Sequence, residues 1–201
     1  MNKPAIIFDF GNVLVKWNLH AIYDRFFPDA SGVDAFLAEV SFLEWNSRMD
    51  KGASFADCVA DISRTYPQYA HLFRLYDERW ADTLREAVPG TAEIASRLKE
   101  AGFYLHLLSN ISAEKFPAMY EMHPILDIFD SVTLSGEVGL IKPDPRIFVH
   151  VLEQLGRSPE ACVFIDDNPA NIESARGVGI PSILFQSAGQ LEDELKKLGI
   201  L

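Results

Sequence analysis

Three carboxylates of this chain stand directly behind short apolar runs: Asp9 behind Ala5-Ile6-Ile7-Phe8, and Asp166 with Asp167 behind Cys162-Val163-Phe164-Ile165. If those runs are neighbouring parallel strands, the acids converge. Like charges at ~4 Å repel by about 4 kcal/mol at an effective dielectric near ~20. Such a cluster persists only with a cation in it or with some groups protonated. A few carboxylate oxygens, completed by waters and a substrate phosphate, describe Mg²⁺. The plainer reading is that each Asp caps the helix behind it. Recurrence of one residue type at strand ends weighs against that reading. Ser109-Asn110 closes another apolar run ahead of a helical stretch. A hydroxyl and backbone N–H groups there can cradle phosphate oxygens, or simply cap a helix. Lys142 lies in Ile141-Lys142-Pro143-Asp144-Pro145, where two prolines restrict the backbone. A held ammonium neutralises a phosphate or a phosphorylated carboxylate, whereas an unconstrained lysine is solvated.

The elements around these residues follow from periodicity. Ala5–Phe8, Tyr104–Leu108, Val132–Leu134, Cys162–Ile165 and Ser182–Phe185 read as strands. Thr91–Ala101, Ala113–Met122, Pro145–Leu155, Asn171–Arg176 and Leu191–Leu198 read as helices, with Asp144 as a cap before Pro145. Strands alternating with helices predict a doubly wound α/β fold with a parallel sheet covered on both faces. Ligands of such sheets bind beyond the carboxyl ends of the strands, where the polar residues above stand. From Lys16 to about Arg85 no strand run appears. Apolar residues recur there at helical spacing, as in Phe36, Leu37 and Val40, and that stretch holds Trp17, Trp45 and Trp80. The expected division is a core of residues 1–15 and 86–201 with a smaller helical unit over 16–85.

Composition narrows the function. The chain has 201 residues, 48% hydrophobic and 23% charged, which is ordinary globular usage. Its net charge of −11 opposes nucleic acid and anionic membrane as partners. Cys58 and Cys162 lie far apart without a secretory signature, and the apolar run ended by Asp9 is too short for a signal core or a membrane span. A cytoplasmic chain with reduced thiols is expected. No internal repeat is visible, His71, His123 and His150 share no zinc spacing, and no nucleotide-binding glycine motif exists.

Taken in order, Asp9-Phe10-Gly11-Asn12-Val13-Leu14, Leu107-Leu108-Ser109-Asn110, Lys142-Pro143-Asp144 and Phe164-Ile165-Asp166-Asp167-Asn168 resemble the four motifs of the haloacid dehalogenase superfamily. The match covers nearly the whole chain, and the helical stretch resembles that superfamily's C1 cap. The Gly-Asn form of the first motif is similar to a branch containing sugar-phosphate phosphatases, including ones acting on glucose 1-phosphate. The resemblance implies Mg²⁺-dependent hydrolysis of a small phosphomonoester through a phosphoaspartate on Asp9. Asp9, the Gly11 carbonyl, Asp166 and Asp167 would hold the metal, with Asp167 the first choice for direct ligation beside Asp9. Asn12, Ser109, Asn110 and Lys142 would bind the phosphate, with Lys142 also neutralising its charge.

This chain departs from the pattern at Gly11, where most phosphatases of the superfamily carry an Asp that protonates the leaving group. Such acid–base help is worth about 10²–10⁴-fold. Three readings are open: a good leaving group such as a sugar 1-phosphate needs less acid; a residue of the cap, His20 among them, or a water supplies the proton; or turnover is slow or absent. The rival activities are metal-independent 2-haloacid dehalogenation, whose enzymes typically lack paired acids in the last motif, and phospholigand binding without turnover. A phosphomutase is disfavoured, because Gly11 cannot pass a proton to and from a sugar hydroxyl. A cap that closes over the site suits a small phosphorylated metabolite. Lys16, Trp17 and Asn18 are expected to border the cleft, and Trp45 and Arg48 to contact the substrate, unless the tryptophans are cap core. A monomer or weak homodimer is expected.

Overall fold

Apolar on both faces, the run from Ala5 to Phe8 can only be an inner strand, and it is the centre of the sheet. The computed structural model describes residues 3–201. Its five strands are β1 (Ala5–Phe8), β2 (Tyr104–Ser109), β3 (Ser131–Leu134), β4 (Cys162–Asp166) and β5 (Ser182–Leu184). They form one parallel sheet in the order β3-β2-β1-β4-β5. Alternation along β1 splits the core between two faces. Ile6 and Phe8 pack with Leu105, Leu107, Val163 and Ile165, while Ala5 and Ile7 pack with Phe148, Phe164 and Val151. Burial of that apolar surface is the main stabilising term.

Register carries the acids together. Phe8 stands level with Leu107 on one side and Ile165 on the other, and the Asp9 N–H donates to the Ile165 carbonyl at 2.9 Å. Asp9 therefore leaves the sheet beside Asp166 and near Ser109.

Between β1 and β2 the chain is helical: α1 (His20–Tyr23), α2 (Ala30–Glu39), α3 (Phe42–Asp50), α4 (Phe55–Thr65) and α5 (Ala70–Arg79), then a tight helical segment Trp80–Leu84. Edge-to-face contacts among Tyr23, Phe36, Phe42, Trp45 and Tyr76 fill the space between these helices. After them come α6 (Thr91–Glu100), α7 (Pro117–Met122), α8 (Ser135–Val138), α9 (Pro145–Leu155), α10 (Pro169–Gly177) and α11 (Ala188–Lys197). The Asp144 carboxylate accepts the Arg146 N–H at 3.0 Å, a cap where the sequence places one. The helix expected over Ala113–Met122 starts only at Pro117, whose missing N–H suits the first turn and not a helix interior. The short α8 was not anticipated, since four residues carry no period.

His106 in β2 is fully buried; its Nδ1 lies 2.6 Å from the Ser131 hydroxyl and its Nε2 has no partner among the described residues. Burial, with His150 nearby, depresses its pKa to about 4. The unfolded chain then takes the proton first, so stability is lost as pH falls from ~6.5 towards ~4. Between pH 7 and pH 5 the expected loss from His106 is about 2 kcal/mol. Denaturant melts of wild type and His106→Asn check this: the variant should show that much less dependence on pH.

Candidate active site

At the carboxyl ends of β1, β2 and β4 lies a cavity of about 360 Å³, ample for a small molecule. Its floor is Asp9, Gly11, Asn12, Ser109, Asn110, Lys142 and Asp167, and its roof comes from the helices between β1 and β2. Carboxylate oxygens of Asp9, Asp166 and Asp167 lie within 4.8 Å of one another.

Lys142 is the pin of this arrangement. Its buried Nζ stands 2.8 Å from Asp9 Oδ1 and 2.7 Å from Asp166 Oδ2, and donates to the Leu108 carbonyl at 3.1 Å. Asn110 fixes the lysine backbone from both sides: Nδ2 donates to the Lys142 carbonyl and Oδ1 accepts the Lys142 N–H, each at 2.8 Å. Both polar atoms of Asn110 are thus engaged in holding Lys142. Burial opposes the ammonium charge, yet the Asp9 and Asp166 carboxylates raise the lysine pKa above its ordinary value. Asp9 Oδ1 also accepts the Phe10 N–H at 2.7 Å, so no described residue donates to Oδ2. Burial pushes Asp9 up to about 8, with Lys142 opposing and the Asp166 charge adding to the rise.

Asp166 is fully buried and does not line the cavity. Its oxygens accept from the Asn168 N–H at 2.8 Å and from Asn171 Nδ2 at 2.9 and 3.0 Å. Half-buried Asp167 lines the cavity; burial first, and then the Asp166 charge, raise its pKa against a hydrogen bond from Asn12. Asn12 sits in the left-handed region at φ 57° and its Oδ1 accepts the Trp17 N–H at 3.1 Å, closing the turn after β1. The Ser109 hydroxyl, at the end of β2, hydrogen-bonds no described residue and lines the cavity.

Other expected residues fall elsewhere. Trp45 does not line the cavity: it is buried among Phe42, Phe73 and Tyr76, and its indole N–H donates to the Cys58 carbonyl at 3.0 Å. Arg48 is half-exposed, pairs with Asp61 at 2.8 Å and borders a separate surface groove. The reason is helical phase. Leu43, Asn46, Ser47 and Asp50 form the stripe of α3 that faces the cavity, while Phe42, Trp45 and Met49 form the buried stripe. Trp17 lines the cavity, whereas Lys16 pairs with Glu86 at the surface and Asn18 caps the turn before His20. Both ring nitrogens of His20 are engaged, with Asp24 at 2.7 Å and Asp34 at 3.1 Å, outside the cavity lining. Asp50, Tyr76 and Asn171 border the cavity without having stood out in the sequence; the i, i+4 spacing of Asn46 and Asp50 was the available signal for Asp50.

Known proteins resemble this chain in both sequence and fold. It is 29% identical over 199 residues to the sesquiterpene phosphatase astK of Aspergillus oryzae, covering 96% of this chain and 95% of that protein. Against the (S)-2-haloacid dehalogenase 4A of Burkholderia cepacia it is 26% identical over 143 residues, 61% of this chain and 62% of that one. A HAD family enzyme of Bacteroides thetaiotaomicron, crystallised with magnesium and inorganic phosphate, superposes with a TM-score of 0.73 at 22% identity, over 92% of this chain and 96% of that one; that likeness is one of fold. The sequence profile of the haloacid dehalogenase-like hydrolases matches residues 3–179. With a parallel α/β core and that match over most of its length, this chain belongs to the haloacid dehalogenase-like hydrolases and is an enzyme.

Proposed function

We propose that this hydrolase cleaves a small phosphomonoester, with Asp9 as nucleophile and Mg²⁺ as the metal. The observation that carries the reading is the meeting of Asp9, Asp166 and Asp167 within 4.8 Å around one buried ammonium, beside the free Ser109 hydroxyl. Three acids against one lysine leave the cluster short of positive charge. A donor set of carboxylate oxygens fits a hard divalent cation. Asp9 and Asp167, which face the cavity, would hold it, with the Gly11 carbonyl beside them. Asp166, occupied by Lys142, Asn168 and Asn171, would serve from behind, directly or through water. When bound, the ion neutralises phosphate charge and polarises phosphorus for attack.

The chain's own residues do the rest. Lys142 and the Phe10 N–H hold Asp9 Oδ1, which fixes the carboxylate and leaves Oδ2 to meet phosphorus. Ser109 and the backbone N–H groups after it receive the non-bridging oxygens. Attack forms the Asp9–phosphorus bond and breaks the ester bond; water then releases inorganic phosphate and restores Asp9.

The test is direct: an aryl phosphate should turn over with Mg²⁺, stop in EDTA and resume when Mg²⁺ is returned. Turnover that EDTA leaves unchanged, or halide release from a 2-haloacid without metal, would overturn the metal-dependent reading. The cavity lining that a leaving group would meet includes Trp17, Leu43, Trp80 and Leu84 as well as Asn46 and Ser47. That mixed wall supports a sugar phosphate and, with the phosphatase relative acting on a terpenoid, an apolar alcohol as a second reading. A panel of hexose and prenyl phosphates separates the two by kcat/KM.

A further inference from the structure

Gly11 offers no side chain, so a leaving group with a high pKa needs its proton from another residue. Taking the phosphomonoester hydrolysis above as given, we propose that Asp50 is the general acid and base of this reaction, reaching into the cavity from the end of α3.

Its position supports the role. Asp50 lines the same cavity as Asp9, Ser109 and Lys142. Its backbone carbonyl accepts the Ser135 hydroxyl at 2.6 Å, and that hydroxyl oxygen accepts the Ile111 N–H at 2.9 Å. Ile111 stands two residues beyond Ser109, so one hydroxyl ties Asp50 to the loop that would cradle phosphate. Close packing reinforces the tie. A Cβ on Gly52 would fall 2.6 Å from the Gly136 carbonyl oxygen, and one on Gly136 would fall 2.6 Å from the Ala113 nitrogen. Only glycines let the turn after α3 dock so near the core.

The carboxyl group is also oriented. The Tyr76 hydroxyl donates to Asn46 Oδ1 at 2.7 Å, which leaves Asn46 Nδ2 to donate to Asp50 Oδ2 at 2.8 Å. No described residue donates to Asp50 Oδ1, which is left for a leaving-group oxygen or a water. Burial lifts the Asp50 pKa to about 7, against the Asn46 hydrogen bond that lowers it. A group poised there can give and regain a proton near neutral pH.

The other titratable groups facing the cavity are Asp9, Asp167, Lys142 and Tyr76, with exposed Lys51 next to Asp50 in the chain. Lys142 is committed to two carboxylates. Burial, and then the Asp50 charge, push the Tyr76 hydroxyl far above its usual range.

In the first step Asp9 forms its bond to phosphorus, the ester P–O bond breaks, and the Asp50 proton passes to the departing oxygen. In the second, the Asp50 carboxylate takes a proton from water as its oxygen attacks phosphorus, the Asp9–phosphate bond breaks, and Asp50 is again the acid.

The test compares wild type, Asp50→Asn, Asp50→Glu and Asp9→Asn on β-glycerophosphate and p-nitrophenyl phosphate with Mg²⁺. Asp50→Asn should lose about 10²–10³-fold in kcat on the alkyl ester. On the aryl ester it should release one equivalent of nitrophenolate quickly and then turn over slowly, because only the second step there needs Asp50. In wild type, kcat/KM for the alkyl ester should fall above about pH 7, a limb that Asp50→Asn loses and Asp50→Glu keeps. Should Asp50→Asn fail to fold by circular dichroism, the shifted limb of Asp50→Glu carries the test. Wild-type turnover that needs Asp9 but changes less than about threefold in Asp50→Asn, on both esters, overturns the Asp50 role alone. Absence of any Asp9-dependent turnover overturns the hydrolysis, and this role with it.

Discussion

Asp9→Asn is expected to remove turnover, by at least about 10⁴-fold, while leaving the fold as stable as before or more so. The activity argument is chemical: an amide is no anionic nucleophile and cannot form the acyl phosphate. The stability argument runs through burial. Asp9 titrates at about 8 when folded because burial disfavours its charge, against ~3.9 in an unfolded chain. A carboxyl group raised in this way costs the metal-free protein stability as pH climbs from ~4 through ~8, and below that window it costs nothing. The amide carries no such cost. Lys142 keeps Asp166 as a partner at 2.7 Å, so the substitution leaves no lone ammonium behind. Thermal melts in EDTA should therefore show the variant above wild type by a margin that grows from pH 5 to pH 9. Turnover of an aryl phosphate by Asp9→Asn at more than a hundredth of the wild-type rate would remove Asp9 from the role of nucleophile. A site that gains stability when its central residue is neutralised is a site whose arrangement serves chemistry rather than folding.

What the sequence made legible follows from where the determining forces are local. A strand buried on both faces must be apolar throughout, so β1 and β4 could be read from Ala5–Phe8 and Cys162–Ile165, and the acids behind them located at strand ends. The Asp144 cap and Pro145 are equally local, being one turn of backbone and one side chain. The phase of α3 is not local. Its amphipathic pattern offers two stripes, and which of them meets the site depends on Ser135 and Gly136 docking against Asp50 and Gly52 from 85 residues away in the chain. Trp45 drew attention because of its residue type, yet it fills the interior of the helical layer, while Asp50 behind it in sequence faces the cavity. His20 was attractive for the same reason, and Asp24 and Asp34 absorb both of its nitrogens. Asn110 was read as a phosphate-binding residue; its hold on the backbone of Lys142, 32 residues away, was not legible because no local pattern marks it.

Lys142→Met should have the opposite signature to Asp9→Asn: activity and stability fall together. Methionine fills the volume of the stem but withdraws the ammonium that touches Asp9 and Asp166. Breaking a buried pair by removing one partner costs about 3–5 kcal/mol, because the remaining charge keeps its desolvation penalty. Here two carboxylates and the Leu108 carbonyl lose their donor at once. Turnover should drop on the order of 10²–10³-fold, the size expected when one charge that stabilises a transition state is removed. Mg²⁺ then becomes a diagnostic. A cation bound only by the folded state stabilises it in proportion to the logarithm of its saturation, and the variant presents it with a more negative site. Millimolar Mg²⁺ should therefore raise the melting temperature of Lys142→Met by more than it raises that of wild type. The same Mg²⁺ shift in both proteins would mean that the ion and the ammonium do not share the charge of this cluster, and that the acids at the ends of β1 and β4 are held for some purpose other than binding a metal beside Asp9.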